Sequence, residues 1–201
     1  MLILLDLSAA FDSVDHPTLL ERLHISYDIN DVVLLWFSSY LLDRQQHVRV
    51  SNTHSEPSTV LFGVPQGSVL GPILFLLYTA DLLRLIKRHQ LQPHAYADGT
   101  QIYGFCHPLA TSGLVSRVSS CVDDISCWMS SNRLLFNPSK TEVSWCSSQR
   151  RLQSLPAVPV LICSTPVTPV NSIRDLGVYI EADTSMKRHI SATVRSCFGA
   201  R

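Results

Sequence analysis

The spacing of apolar residues along this chain changes several times, and each change marks an element. Leu2-Ile3-Leu4-Leu5 runs without alternation into Asp6 and Leu7. A short continuous apolar run predicts a strand over Leu2 to Leu7, buried on both faces. Such a strand normally has neighbours on both sides, so a chain that opens on it reads as truncated. Behind Pro17, which fits a first helical turn, Leu19, Leu20 and Leu23 fall on one helical face. Asp12 and Asp15 are the candidate caps of that helix. Val33, Trp36, Phe37, Tyr40 and Leu41 recur at i, i+3, i+4, i+7 and i+8, the stripe of a second helix after Asn30.

Gln45 to Val50 and Thr59 to Phe62 predict a hairpin. Gly63-Val64-Pro65-Gln66-Gly67-Ser68 reads as a loop by its glycines and proline. A helix from Pro72 to about residue 90 begins apolar nearly all round, which places it in the core. His94 to Ala97 and Thr100 to Phe105 predict a tight hairpin turning at Asp98-Gly99, a pair suited to positive φ. Leu114, Val118, Cys121, Val122, Ile125, Trp128 and Met129 form the stripe of a long helix, ended by Asn137-Pro138. Val143 to Cys146 predicts a short strand. Residues 156–169 hold four prolines and suit edge strands. Ile173 to Ile180 predicts one further strand. A last amphipathic helix carries Met186, His189, Ile190, Thr193, Val194 and Cys197.

Composition supports one globular domain: 201 residues, 46% hydrophobic and 16% charged. Net charge is zero, which argues against strong nucleic-acid grip by this chain alone, since phosphate neutralisation carries much of that affinity. The six cysteines include no C-x-x-C pair and the eight histidines no H-x-x-x-H pair. Reduced, buried thiols in an intracellular protein follow, with little prospect of zinc. The four apolar residues before Asp6 lack a basic flank, so they are no signal peptide. Val69 to Ala80, broken by Gly71 and Pro72, is too short for a membrane span.

The chemistry lies in aspartates on distant segments. A strand-ending carboxylate, Asp6, beside a hairpin-tip carboxylate, Asp98, is the arrangement that holds magnesium through hard oxygen ligands. By itself an Asp-Gly pair is more often a plain turn former. Five segments taken in order carry more: Leu5-Asp6-Leu7-Ser8-Ala9-Ala10-Phe11-Asp12, Gly63-Val64-Pro65-Gln66-Gly67-Ser68-Val69-Leu70-Gly71-Pro72, Tyr96-Ala97-Asp98-Gly99, Asn137-Pro138-Ser139-Lys140-Thr141-Glu142 and Arg174-Asp175-Leu176-Gly177-Val178. Together they resemble the reverse transcriptase domain of non-LTR (LINE-type) retrotransposons, from residue 1 to about 195.

The resemblance implies an α+β polymerase palm with partial fingers, truncated at both ends. It forms a single partial domain over residues 1–201, with the palm core over about 1–150 and edge strands and the start of a C-terminal helix over 151–201. It implies an RNA-directed DNA polymerase transferring a deoxynucleotide from its triphosphate to a primer 3′-hydroxyl with two Mg²⁺. RNA template, DNA primer and dNTP are the implied partners, with no membrane. The family's behaviour suggests the nucleus, although no basic targeting run is present. Asp6 and Asp98 match catalytic metal ligands, with the Leu7 carbonyl as a further ligand. Phe11 matches the residue stacked beneath the incoming sugar. Gln66 and Gly67 match the loop positioning nucleotide and template base, and Lys140 a lysine that assists the departing pyrophosphate. Residues 174–178 resemble the strand near the primer grip. Bland alternatives stand beside these roles: Phe11 as core, Gln66 and Gly67 as loop punctuation, Lys140 as a solvated charge. Asp123 and Asp124 read as solvated.

The family's tip motif is usually Tyr-Ala-Asp-Asp, and here Gly99 stands in the fourth position. Loss of a direct charge-stabilising group costs on the order of 3 kcal/mol, roughly a hundredfold in rate. Weak or absent activity is expected from this loss and from the family's fingers and thumb segments, which this sequence lacks. The alternatives are a non-catalytic remnant that binds nucleic acid or protein, and an unstable product of a decayed element.

Overall fold

The computed structural model describes residues 1–199. Ala200 and Arg201, counted in the expected C-terminal segment, lie outside the described residues.

The first strand, β1 (Leu2–Leu5), is central to a four-stranded antiparallel sheet, between a strand from residues 142–144 and one from 99–103. Ile3 and Leu5 are buried, while Leu2 and Leu4 are only half-buried. The expected strand to Leu7 is interrupted: pairing stops at Asp6 and resumes in β2 (Leu7–Ser8). Beyond a 3₁₀ turn at Phe11–Ser13, α1 (His16–Tyr27) starts where expected. Asp15 alone caps it, its Oδ2 accepting from the Thr18 amide at 3.1 Å. Its Oδ1 faces Arg133 at 2.9 Å.

The next helix, α2 (Asp31–Leu41), packs less well than its stripe implied. Leu41 is buried and Phe37 and Tyr40 are half-buried, but Val33 and Trp36 are 55% and 52% exposed. A helical stripe specifies a face, and only a neighbour covers it. The expected hairpin that follows is two-tiered. Strand β3 (Arg44–Gln46) pairs with β6 (Ser58–Val60), and β4 (Arg49–Val50) with β5 (Thr53–His54) inside it. The core helix α3 (Leu70–Arg88) buries Leu74, Phe75, Tyr78 and Leu82. Ile73 and Leu76 remain 47% and 41% exposed, so its apolar first half is one-sided.

Strands β7 (Gln92–Tyr96) and β8 (Gly99–Tyr103) form the expected hairpin, one residue out of the expected register. Tyr96 pairs with Gly99, so the two turn residues are Ala97 and Asp98. Ala97 carries the positive φ, at 52°, and Gly99 has none. The long helix α4 (Thr111–Ser131) buries the predicted stripe, with Trp128 half-buried. It ends at Asn132, before Asn137-Pro138, because β9 (Leu135–Phe136) must turn back to pair with β2. Asp124 is not merely solvated, since His89 Nε2 lies 2.8 Å from its Oδ2.

Strand β10 (Glu142–Ser144) completes the main sheet, in the order β10-β1-β8-β7. A short helix, α5 (Gln149–Leu152), precedes the hairpin β11 (Val160–Ile162) and β12 (Thr165–Val167). The single strand expected over 173–180 is a second hairpin, β13 (Ser172–Asp175) and β14 (Val178–Glu181). Leu176 and Gly177, with φ of 46° and 85°, form its turn, and Gly177 is the residue in the sequence that suits it. The last helix, α6 (Lys187–Phe198), has no buried residue. No described helix is long and apolar enough to cross a membrane.

The thiols divide by burial. Burial pushes the Cys121 thiol up to about 12, whereas Cys127 and Cys197 are exposed, against the expectation of uniformly buried cysteines. Iodoacetamide at about pH 8 is expected to label Cys127 and Cys197 first and spare Cys121 until the chain unfolds. Peptide mass spectrometry reads the order, and early labelling of Cys121 would contradict the packing of α4.

Candidate functional site

Asp6 occupies the break between β1 and β2, and the register there decides its neighbours. Leu5 lies opposite Thr100, the last pair of that ladder, so Asp6 leaves the sheet beside the start of β8. On the other side Leu4 lies opposite Glu142. The Asn137 amide donates to the Asp6 carbonyl at 3.2 Å, pinning the following 3₁₀ turn, Pro138–Lys140, beside the strand. Lys140 Nζ consequently reaches Asp6 Oδ2 at 3.2 Å. The pair is lopsided in exposure, 64% for Lys140 and 39% for Asp6. Asp6 Oδ2 is itself sealed from solvent and accepts no hydrogen bond, so the ammonium faces it as an ion pair outside hydrogen-bonding geometry.

These residues line a cleft of about 350 Å³ with Gly99, Gln101, Glu142, Arg174 and Asp175. Gln101, Glu142, Arg174 and Asp175 have no individual role from the sequence, although the last three lie in its motif segments. Glu142 enters through its pairing with Leu4, and Arg174 and Asp175 through the β13–β14 hairpin. Gln101 Nε2 donates to Asp175 Oδ1 at 2.8 Å and ties that hairpin to β8. A turn at Leu176-Gly177 would have suggested this return, but the side of the sheet it falls on depends on tertiary packing.

Asp98 is half-buried at the tip of β7–β8 and makes no hydrogen bond or ion pair among the described residues. Asp6 and Asp98 are hard oxygen donors of the kind magnesium takes, and the sealed Asp6 Oδ2 is an anionic oxygen short of partners. Of the two, Asp6 lines the cleft and Asp98 is not among its lining residues, so the cleft itself offers a cation Asp6 in reduced company. Gly99 adds no ligand, and the described residues contain no group of three His, Cys, Asp or Glu side chains placed to hold a metal.

The remaining candidates lie apart from this cleft. Phe11 is half-buried, its ring 5.0 Å from that of Phe75, so its core reading has a physical basis. Its carbonyl accepts from the Val64 amide at 2.8 Å, and the Gly63 amide donates to Val14 at 2.7 Å. Buried His16 bonds the Gly63 carbonyl through Nε2 at 2.8 Å, and Arg44 donates to the same oxygen at 3.2 Å. The 63–68 loop is thus buttoned to the segment after Asp6. Gln66 Nε2 donates to both carboxylate oxygens of Asp12 at 3.1 Å, which takes Asp12 out of the capping role expected of it. Gln66 and Asp12 line a second cleft of about 530 Å³ with Arg44, Gln46 and Phe62. Gly67 has φ of 76° and open space around it.

The profile of the family described as Reverse transcriptase (RNA-dependent DNA polymerase) matches residues 1–180. A probable RNA-directed DNA polymerase from transposon BS of Drosophila melanogaster is 30% identical, over 98% of this chain and 22% of its own length. The RNA-directed DNA polymerase from mobile element jockey of the same species is 27% identical, over 93% of this chain and 20% of its own. The chain therefore spans about a fifth of the length of these relatives. Among solved structures, a Candida albicans telomerase superposes with a TM-score of 0.59 at 16% identity, over 92% of this chain and 30% of that one. A Candida tropicalis telomerase gives 0.60 at 13%, over 91% and 34%. At such identities the likeness is one of fold.

Proposed function

The chain belongs to the reverse transcriptase (RNA-dependent DNA polymerase) family, of the non-LTR transposon kind, and from that membership we propose that it is the palm of an RNA-directed DNA polymerase. In this reading residues 1–150 are the palm core and 151–201 its edge strands with the start of a further helix. Substrates are an RNA template, a DNA primer and a dNTP, and the nucleus is its site of action. The observation that carries the reading is Asp6, which follows a central strand into a cleft shared with Gly99 and has an oxygen that no hydrogen bond satisfies.

Asp6, Asp98 and the Leu7 carbonyl are the groups that would hold Mg²⁺. When bound, Mg²⁺ would neutralise phosphate charge and favour the ionised primer hydroxyl. Phe11 bounds the sugar of the incoming nucleotide. Gln66, oriented by Asp12, and Gly67, which offers bare backbone, position nucleotide and template. Lys140 meets the anionic leaving group. With Gly99 in place of a carboxylate, turnover is weak.

Primer extension on an RNA template tests this. Asp6→Asn is expected to lower the extension rate about a hundredfold, as loss of a direct charge-stabilising group does. Equal rates in parent and variant would overturn the role of Asp6. A second reading keeps the fold without catalysis, as a remnant that binds a protein or nucleic acid. The exposed face of α2, with Val32 at 77%, Leu35 at 70% and Trp36 at 52%, favours it. Salt-sensitive binding to an RNA–DNA hybrid without any extension would support that second reading.

A further inference from the structure

We propose that Lys140 is a built-in counter-ion for Asp6 that competes with a divalent cation for the carboxylate. The inference rests on the reading of Asp6 as a cation ligand. Asp6 Oδ2 is covered, and what faces it is the Lys140 ammonium at 3.2 Å. An ammonium and a divalent cation cannot share that oxygen without strong like-charge repulsion.

The lysine is held within reach by backbone. The Asn137 amide is bonded to the Asp6 carbonyl at 3.2 Å, and the Lys140 amide to the Asn137 carbonyl at 3.2 Å. The turn that presents Lys140 is thereby fastened to the residue it neutralises. The side chain is 64% exposed, so the ammonium can leave on its flexible stem while its backbone stays in place. Exposed pairs of this kind are weak, which suits a charge meant to be displaced.

Gly99 tips the balance. It lines the same cleft as Asp6 and brings no second carboxylate to favour the cation over the lysine. Once displaced, the ammonium shares the cleft with Arg174, where two cationic side chains can meet nucleotide phosphates. Cation entry and phosphate recognition are then coupled through one side chain.

Mn²⁺ binding to the whole chain, followed by water-proton relaxation, is the test, with the ¹³Cε signal of Lys140 as a second reading. Lys140→Met, which removes the charge and keeps most of the stem, is expected to bind Mn²⁺ about tenfold tighter than the parent. Lys140→Arg is expected to stay within about twofold of the parent, and Asp6→Asn to lose the site. Mg²⁺ is expected to shift the Lys140 ¹³Cε signal in the parent and to leave it unmoved in Asp6→Asn. Equal affinity in parent and Lys140→Met, with binding lost in Asp6→Asn, would overturn the competition and leave the polymerase reading intact. Binding undiminished in Asp6→Asn would overturn Asp6 as a ligand, and the competition with it. Absence of Mn²⁺ uptake by Lys140→Met would also overturn the competition.

Discussion

Gly99→Asp is expected to raise RNA-templated primer extension about a hundredfold over the parent chain, the usual worth of one direct charge-stabilising group. The backbone accepts the change. Gly99 has no positive φ, and a Cβ there would meet only the Tyr96 carbonyl, at an ordinary 3.4 Å. Gly99 and Asp6 line the same cleft, so the new carboxylate would enter the space that Asp6 borders. Without a cation, the two carboxylates repel. With a cation they become joint ligands, so Mn²⁺ affinity should rise along with the rate. Tighter Mn²⁺ binding with unchanged extension would move the limiting defect away from position 99. Unchanged binding would mean that the added carboxylate does not face Asp6.

Gly63→Ala is expected to cost about 3 kcal/mol of stability and lower the melting temperature by roughly 10 °C, while Gly67→Ala costs about 1 kcal/mol. Both glycines have positive φ, 86° and 76°, so both substitutions carry backbone strain. Only Gly63 also lacks space: a Cβ there would lie 2.9 Å from the Phe11 carbonyl oxygen and from the Asp12 Cα. Those atoms belong to the segment that the Gly63 and Val64 amides bond to, so relieving the clash would break the bonds. Gly67 has nothing within 4 Å. Thermal melts of the two variants give the comparison, and equal melting would show that the loop can lift off at little cost. A lifted loop would also free Gln66 from Asp12, so Gly63→Ala should weaken nucleotide use beyond its effect on stability.

Much of the architecture was legible in the residues. The α4 stripe, the Asp15-Pro17 start of α1 and the apolar run of β1 are local patterns, set by helical period, capping and burial over a few neighbouring positions. The five motif segments carried the family for the same reason, since each is short and self-contained. Pairing register was harder to read. Asp98-Gly99 looked like the turn of its hairpin, yet Ala97 and Asp98 turn, because pairing with β1 sets the ends of β8. The Leu176-Gly177 turn was hidden inside a stretch, Ile173 to Ile180, whose Ile, Val and Tyr residues suit a strand.

What the sequence by itself determined was the family and most of the elements. Only the tertiary structure decided which groups surround Asp6. Lys140 faces Asp6 because the turn before β10 is bonded to the Asp6 backbone, and Glu142, Arg174 and Asp175 enter the cleft from strands far along the chain. Gln66 is turned toward Asp12 and a separate cleft. The reason is physical: period and turn chemistry act within a few residues, whereas the charges around Asp6 come from segments joined only by sheet closure.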